Sequence, residues 1–422
     1  MFRKTTLQNG LRVLTKKLPG TASVTVLVLV GAGCRYENDQ IRGLSHFLEH
    51  MFFKGASRYK NAKEVSEAID SVGGIFNAFT GKEYAGYFVK VASEHMKVAV
   101  DVLSDMLVNS KFKQEEVDKE RGVILEEYNM YQDTPMYQIG WTFENLVFGD
   151  QPLGWDEIGT KEFIKKASHK HFVDYFEKLY TPDNAVVAIC GDVDHKEATE
   201  MISDFFEMDN ERKAYNFEPL KEISTDKICL VEKKTEQAHL ALGFPGLSET
   251  HEDHYALMLL SAILGGGMSS RLFLAVREAK GLAYYIKMST DDYIDGGTFA
   301  AFAGVDLKRI DDAISSIVDE YKKVVEEGVT EKELSKAKAY LKGKIVLSLE
   351  DSEEYSHYLA KYELLHGEAH DPDYYLKRLE KVTLSDINRV IKNIMVADKM
   401  KLAVIGPYNA EDKARFEKLL NF

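Results

Sequence analysis

Apolar positions along the chain follow two periods, and the way these alternate predicts the architecture. Thr5–Gln8 and Leu11–Thr15 flank Asn9-Gly10, a two-residue turn signal, and predict a hairpin. The run Val24–Val30 predicts a third strand, closed by Gly31-Ala32-Gly33. Helical periodicity follows over Gly43–Phe53 and Ala62–Val72, and Gly73-Gly74 opens a strand pair at Phe76–Thr80 and Tyr84–Val91. Helices are predicted at Glu94–Asn109, Gln114–Tyr131 and Tyr137–Phe148. A strand at Ala185–Ile189 and a helix from Lys196 to Phe206 close this half.

Asn210–Asp226 is polar and weakly patterned, as a linker would be, and beyond it the order repeats. Ile228–Val231 and His239–Phe244 predict strands, and Asp253–Leu264 and Ser269–Ala279 helices. A strand pair follows at Ala283–Met288 and Gly297–Ala303, then helices at Leu307–Glu327 and Glu331–Leu349. A single offset of 217 superposes Met51 on Met268 and Glu116-Val117 on Glu333-Leu334. The expected fold is therefore α+β, two homologous halves, each a mainly antiparallel sheet flanked by helices. The expected division is 1–212, a linker over 213–226, and 227–422.

Composition narrows the function classes. A hydrophobic share of 45% with 22 Phe and 22 Tyr in 422 residues supports packed domains. The formal charge of −14 argues against a nucleic-acid binder. Cys34, Cys190 and Cys229 are odd in number and form no C-x-x-C, which argues against a disulfide framework or a cysteine-based zinc site and favours a reducing compartment. No apolar run approaches the length of a membrane span, and the N-terminus lacks a signal-peptide core. The expectation is a cytoplasmic protein without nucleic-acid or membrane partners.

Chemistry concentrates in His46-Phe47-Leu48-Glu49-His50, an H-x-x-E-H signature on a predicted helix. His46 and His50, four residues apart, project from one helix face and can share a tetrahedral Zn²⁺. Glu49 lies on the same side, able to reach a water without being a ligand. Zinc catalysis demands a third protein ligand. The acidic helix Glu115–Tyr131 is the best supplier, because Glu120 and Glu127, two turns apart, share one face. Val123 and Ile124 are expected to turn that face inward, whereas Glu126 points about a quarter turn away. At the 217-residue offset His46, Glu49 and His50 fall on Ile263, Gly266 and Gly267, so chemistry is expected in the first half only. Two other features carry less: His251-Glu252-Asp253-His254 reads as a helix N-terminus, and Gly265-Gly266-Gly267 is not followed by the Gly-Lys-Ser/Thr of a phosphate loop.

The H-x-x-E-H set, 76 intervening residues, and then Glu127 within Glu120-Arg121-Gly122-Val123-Ile124-Leu125-Glu126-Glu127 resemble the pitrilysin family of zinc peptidases. The likeness is greatest to the short branch that includes mitochondrial processing peptidase and its bacterial relatives. Gly73-Gly74-x-x-Asn77-Ala78-Phe79-Thr80, Asp133-Thr134-Pro135 and Pro152-Leu153-Gly154 agree with it. The resemblance implies a metallohydrolase fold of the type shared by LuxS and the processing peptidases. It implies one Zn²⁺ per chain, bound by His46, His50 and Glu127. Glu49 would be the catalytic base activating a zinc-bound water, with Glu120 behind a ligand histidine. Asn77 and Ala78 would lie on a substrate-binding strand. In the second half, Arg271-Leu272-Phe273-x-x-x-Arg277-Glu278-x-x-Gly281-Leu282-Ala283-Tyr284 matches a second signature, implying that Arg277 and Tyr284 hold the substrate backbone. A zinc endopeptidase acting on peptides or unfolded segments inside a homodimer chamber is the implied function; a heteromeric partner of the same family is the alternative assembly. The competing role, a non-catalytic scaffold subunit, goes in this family with lost metal ligands, and none is lost here.

Overall fold

The computed structural model describes residues 1–208 and 216–421, so Asn210–Ala214 of the expected linker, with its neighbours, lie outside the described residues. The chain forms two compact units, and neither is a continuous stretch. The first comprises Met1–Asn129, Asp156–Glu218 and Ile345–Asp373; the second comprises Met130–Trp155, Pro219–Lys344 and Tyr374–Phe422. This departs from the linear division expected at 213–226.

In the first unit the strands are β1 (Arg3–Thr6), β2 (Arg12–Lys17), β3 (Ser23–Val30), β4 (Ile75–Thr80), β5 (Ala85–Ala92) and β6 (Ala185–Gly191). Their order is β1-β2-β6-β3-β5-β4, antiparallel except for β2 beside β6. The helices preceding Asn129 are α1 (Leu44–Phe52), α2 (Ala62–Asp70), α3 (Met96–Asn109) and α4 (Gln114–Gln132), whose last residues pass into the second unit. The second unit then takes α5 (Pro135–Phe148), and the first resumes with α6 (Lys161–Lys166), α7 (His169–Leu179) and α8 (His195–Phe205).

The second sheet contains β7 (Ile228–Glu232), β8 (Gln237–Pro245), β9 (Ala283–Asp292), β10 (Gly297–Asp306) and β11 (Lys401–Gly406), in the order β7-β11-β8-β10-β9. Its helices include α9 (His254–Gly265), α10 (Ile310–Glu327) and α11 (Glu331–Ser348). After these, α12 (Ser352–His366) belongs to the first unit, and α13 (Pro372–Lys381), α14 (Leu384–Ile394) and α15 (Lys413–Leu419) follow. The second sheet repeats the order β2-β6-β3-β5-β4 of the first, as expected of homologous halves, and among the described residues only β1 has no counterpart.

The largely apolar β3 explains why the first half borrows a helix. Val24, Val26, Val28 and Val30 pack into the main core, with residues of α1 and α3. Leu27 and Leu29 point to the other face, where Tyr355, Leu359 and Ala360 of α12 cover them. Thr25, on that same face, meets Ser352 Oγ at 2.8 Å. A sheet apolar on both faces needs cover on both, and the helices before Asn129 supply one side. The second sheet is treated alike: Ile139, Phe143 and Val147 of α5 pack on Ala241, Ala300 and Ala403. The 217-residue offset that aligns the long helices also places α5 on α12.

Three local expectations differ from the structure. Arg12 pairs with Thr6, so the first hairpin has a five-residue loop, in which Asn9 Oδ1 accepts from Leu11 N–H and Gly10 takes φ +95°. The segment expected as a helix over Ser269–Ala279 narrows to a π-helical turn at Phe273–Glu278. Val123 is 51% exposed; Ile124 alone turns inward. Among the described residues no helix is long and apolar enough to cross a membrane.

Candidate metal centre

Helix α1 is anchored at its start before any metal is considered. Gly43, in the left-handed region at φ +94°, precedes it, and a Cβ there would meet Ile158 O at 2.5 Å. The buried Glu37 carboxylate accepts the Gly43 and Ser45 N–H groups, both at 2.7 Å, satisfying donors that a helix N-terminus leaves open. Burial pushes the Glu37 carboxyl up to about 7 against those two hydrogen bonds. Phe47, Leu48, Met51 and Phe52 point into the core. The opposite side of the helix carries His46, Glu49 and His50.

The three expected donors meet. His46 Nε2 lies 3.6 Å and His50 Nε2 3.4 Å from Glu127 Oε2, and the imidazole centroids are 4.9 Å apart. Donors around a tetrahedral zinc at 2.0–2.1 Å stand about 3.3 Å from one another, so the spacing fits that metal. The three residues form a potential metal-ion group by their donor atoms alone. Charge agrees: Glu49, Glu120 and Glu127 surround two imidazoles, and only Glu120 has a lysine partner. The His46 Nδ1 atom is buried and unpartnered.

Glu120 bridges two groups, with Oε1 2.9 Å from His50 Nδ1 and Oε2 2.5 Å from Lys54 Nζ. Burial opposes charge on Glu120, but His50 and Lys54 prevail and lower its carboxyl below the ordinary value. Burial likewise disfavours a charged His50, yet Glu120 and Glu127 outweigh it and lift the imidazole to about 9. His46 and His50 hold Glu127 well below the usual carboxylate range. Glu120 and Glu127 are thus kept ionised and Glu120 orients His50, which a binding cation would have to deprotonate.

Strand β4 packs against α1, with Phe76 5.7 Å from Phe53 between ring centroids. By strand alternation Phe76, Ala78 and Thr80 share this face. Thr80 Oγ1 donates to Glu49 Oε2 at 2.5 Å, a contact absent from the sequence expectations. Its signal was available: once Phe76 faces α1, period two turns Thr80 the same way. β4 is the outermost strand of its sheet, with Asn77 exposed and Ala78 half-buried. Arg277 and Tyr284 belong to the second unit. Arg277 is exposed, its guanidinium 4.9 Å from the Phe273 ring, and Tyr284, on edge strand β9, is 75% exposed.

Known proteins resemble this chain over nearly its whole length. A family model described as insulinase (peptidase family M16) matches residues 12–147, and one described as peptidase M16 inactive domain matches residues 166–341. An uncharacterized zinc protease of Streptomyces coelicolor is 37% identical over 420 residues, covering 98% of this chain and 91% of the relative. The chain belongs to peptidase family M16. The uncharacterized zinc protease YmxG of Bacillus subtilis is 37% identical over 407 residues, 96% of this M16 chain and 98% of that protein. The M16 fold is also that of a Helicobacter pylori protease crystal structure, with TM-score 0.89 and 25% identity over 96% of this chain and 99% of that one. Pitrilysin is the family's other name, so the resemblance drawn from the motif and its spacing points to the same family. The inactive-domain match covers most of the second half, where Ile263, Gly266 and Gly267 replace the motif residues.

Proposed function

We propose that this protein is a zinc-dependent endopeptidase hydrolysing peptides or unfolded polypeptide segments. The observation that carries the reading is the convergence of His46, His50 and Glu127, beside a glutamate held by Thr80 on the same helix. Zinc, when bound by these three, supplies a Lewis acid that polarises the scissile carbonyl and acidifies water. Glu49, steadied through Oε2 by Thr80, takes the attacking water's proton and passes it to the leaving nitrogen as the C–N bond breaks. Glu120 receives His50 Nδ1–H, leaving Nε2 free to ligate. An extended substrate adds to the outer edge of β4 at Asn77 and Ala78 through main-chain hydrogen bonds. Arg277 and Tyr284 are assigned to donate to the substrate backbone, and the working form is a homodimer enclosing a chamber.

Cleavage of an unstructured peptide by the wild type and by Glu49→Gln, with zinc measured on both, tests the reading. The expected result is one zinc per chain in each protein and turnover in the wild type alone. Full activity in Glu49→Gln would sink the mechanism. A wild type that neither binds zinc nor cleaves would leave the scaffold role.

A further inference from the structure

The second unit contains a cavity of about 340 Å³ lined by residues of α9, α11 and the turn after α9. Ile263, Gly267 and Ala337, three of its lining residues, are the counterparts of His46, His50 and Glu120 at the 217-residue offset. Replacing two imidazoles and a carboxylate by these residues removes the metal donors and also the bulk that filled the cleft. The cleft opens to the surface, where Met268, Leu274 and Lys336 are exposed.

The wall carries one net positive charge, that of Lys336. Arg271 holds Glu333 in a two-point ion pair, Nε–Oε1 2.6 Å and Nη2–Oε2 2.9 Å. Lys336 donates to Ser269 O at 2.7 Å, and the Tyr340 hydroxyl donates to Gly266 O. One polar group is left over: the Ser270 hydroxyl, in a residue 5% exposed, is buried without a hydrogen-bond partner. Such a group is destabilising until something pairs with it. Met268 and Leu274, also lining the cavity, are 76% and 47% exposed, so the apolar lining continues to the surface.

We propose that this vacated counterpart of the metal site binds one bulky uncharged side chain, aromatic or branched aliphatic, of an extended peptide, and that a polar atom of that peptide pairs with Ser270 Oγ. The charge left over on the wall is positive and disfavours a cationic occupant, the volume lies at the small end of ligand pockets, and the exposed Met268 and Leu274 extend the apolar contact. The identity of that peptide as substrate rests on the peptidase reading; the first unit's cleft cuts, and its duplicate grips.

Fluorescence anisotropy in the Glu49→Gln background measures the grip without turnover. The probes are two labelled unstructured peptides of equal length, differing only in a central Phe or Ser. The Phe peptide is expected to bind about tenfold more tightly. Gly267→Leu and Ala337→Phe, which fill the cavity, are each expected to erase that preference. Position 267 can receive a side chain, since the atom nearest an added Cβ is a Tyr340 ring carbon at 3.4 Å. Ser270→Ala, which alters no packing, is expected to weaken Phe-peptide binding severalfold with no loss of melting temperature. Equal affinity for the two peptides, or an undiminished preference in filled variants that melt like the parent, overturns the proposal. So does a filled variant that dissociates into monomers on sedimentation with its peptide preference intact, since a second copy would then be the occupant. A cavity-dependent preference in a protein whose wild type cuts nothing would support the cavity and sink the peptidase reading; cleavage with no preference would do the reverse.

Discussion

Thr80→Val removes one hydroxyl and keeps the side-chain shape, so it isolates what β4 contributes to Glu49. The bond lost is the 2.5 Å donation to Glu49 Oε2. Hydrogen bonds to charged groups are worth about 1.5–3 kcal/mol net, and a part-buried pair, where water replaces the lost donor, belongs at the low end. At 1.36 kcal/mol per decade that is roughly a tenfold loss of rate if the bond serves to hold the base in place. In steady-state cleavage of a fluorogenic peptide, kcat is expected to fall about tenfold while KM changes by less than about twofold. Thr80→Ser should recover most of the rate, and zinc content should remain one per chain throughout. A wild-type kcat in Thr80→Val would refute the reasoning. Loss of zinc together with activity would refute it differently, making β4 a support for the metal ligands instead of the base.

Glu120→Gln should weaken zinc binding about 10- to 100-fold in a chelator competition with the fold intact, because His50 loses a charged partner behind its ligating nitrogen. Stripping zinc should lower the melting temperature; at 100 times its Kd the metal adds about 2.7 kcal/mol, and Glu127→Ala should abolish the difference between stripped and loaded protein. His357, whose ring lies 5.4 Å from that of Phe79 and 5.7 Å from that of Tyr84, is pushed down to about 4 by burial and by Lys361. With the folded value below the unfolded 6.5, its contribution is present above pH 6.5 and lost as pH falls toward 4. That loss is roughly 2 kcal/mol at pH 5. Urea midpoints of the wild type and His357→Phe should therefore diverge between pH 7 and 5, and parallel curves would remove His357 as the cause.

How much of the site could be read from sequence depended on what each residue answers to. His46, Glu49 and His50 answer to helix periodicity, which is local, so their shared face was legible. Glu127 lay two turns from Glu120 on one face; the helix left open which of the two would meet the histidines, and the family's spacing selected between them. The Glu37 cap, the Lys54–Glu120 pair and the Thr80–Glu49 bond depend on segments brought together by the sheet, and no local pattern announces them. Val123 and Ile124, lying between Glu120 and Glu127, were expected to turn inward together, yet one residue on a helix is 100° of rotation. The helical pattern at Tyr137–Phe148 was read correctly as a helix, but periodicity says only that a face is apolar. It does not name the sheet that face will cover.

The borrowed helices also set a timetable. The sheet beneath the metal centre has its last strand, β6, by Gly191, but the helix that covers its second face, α12, ends only at His366. At about 5–20 residues per second, translation of that interval takes on the order of ten to thirty seconds. Throughout that time Leu27 and Leu29 have no lid, and the histidine-bearing layer rests on half a foundation. The nascent first unit should therefore be sticky, dependent on chaperones and a poor zinc binder until most of the chain has left the ribosome. A chain truncated after the first half should inherit that immaturity permanently. The same circuitry would delay any proteolytic activity until synthesis is nearly complete, a safeguard built from chain order alone.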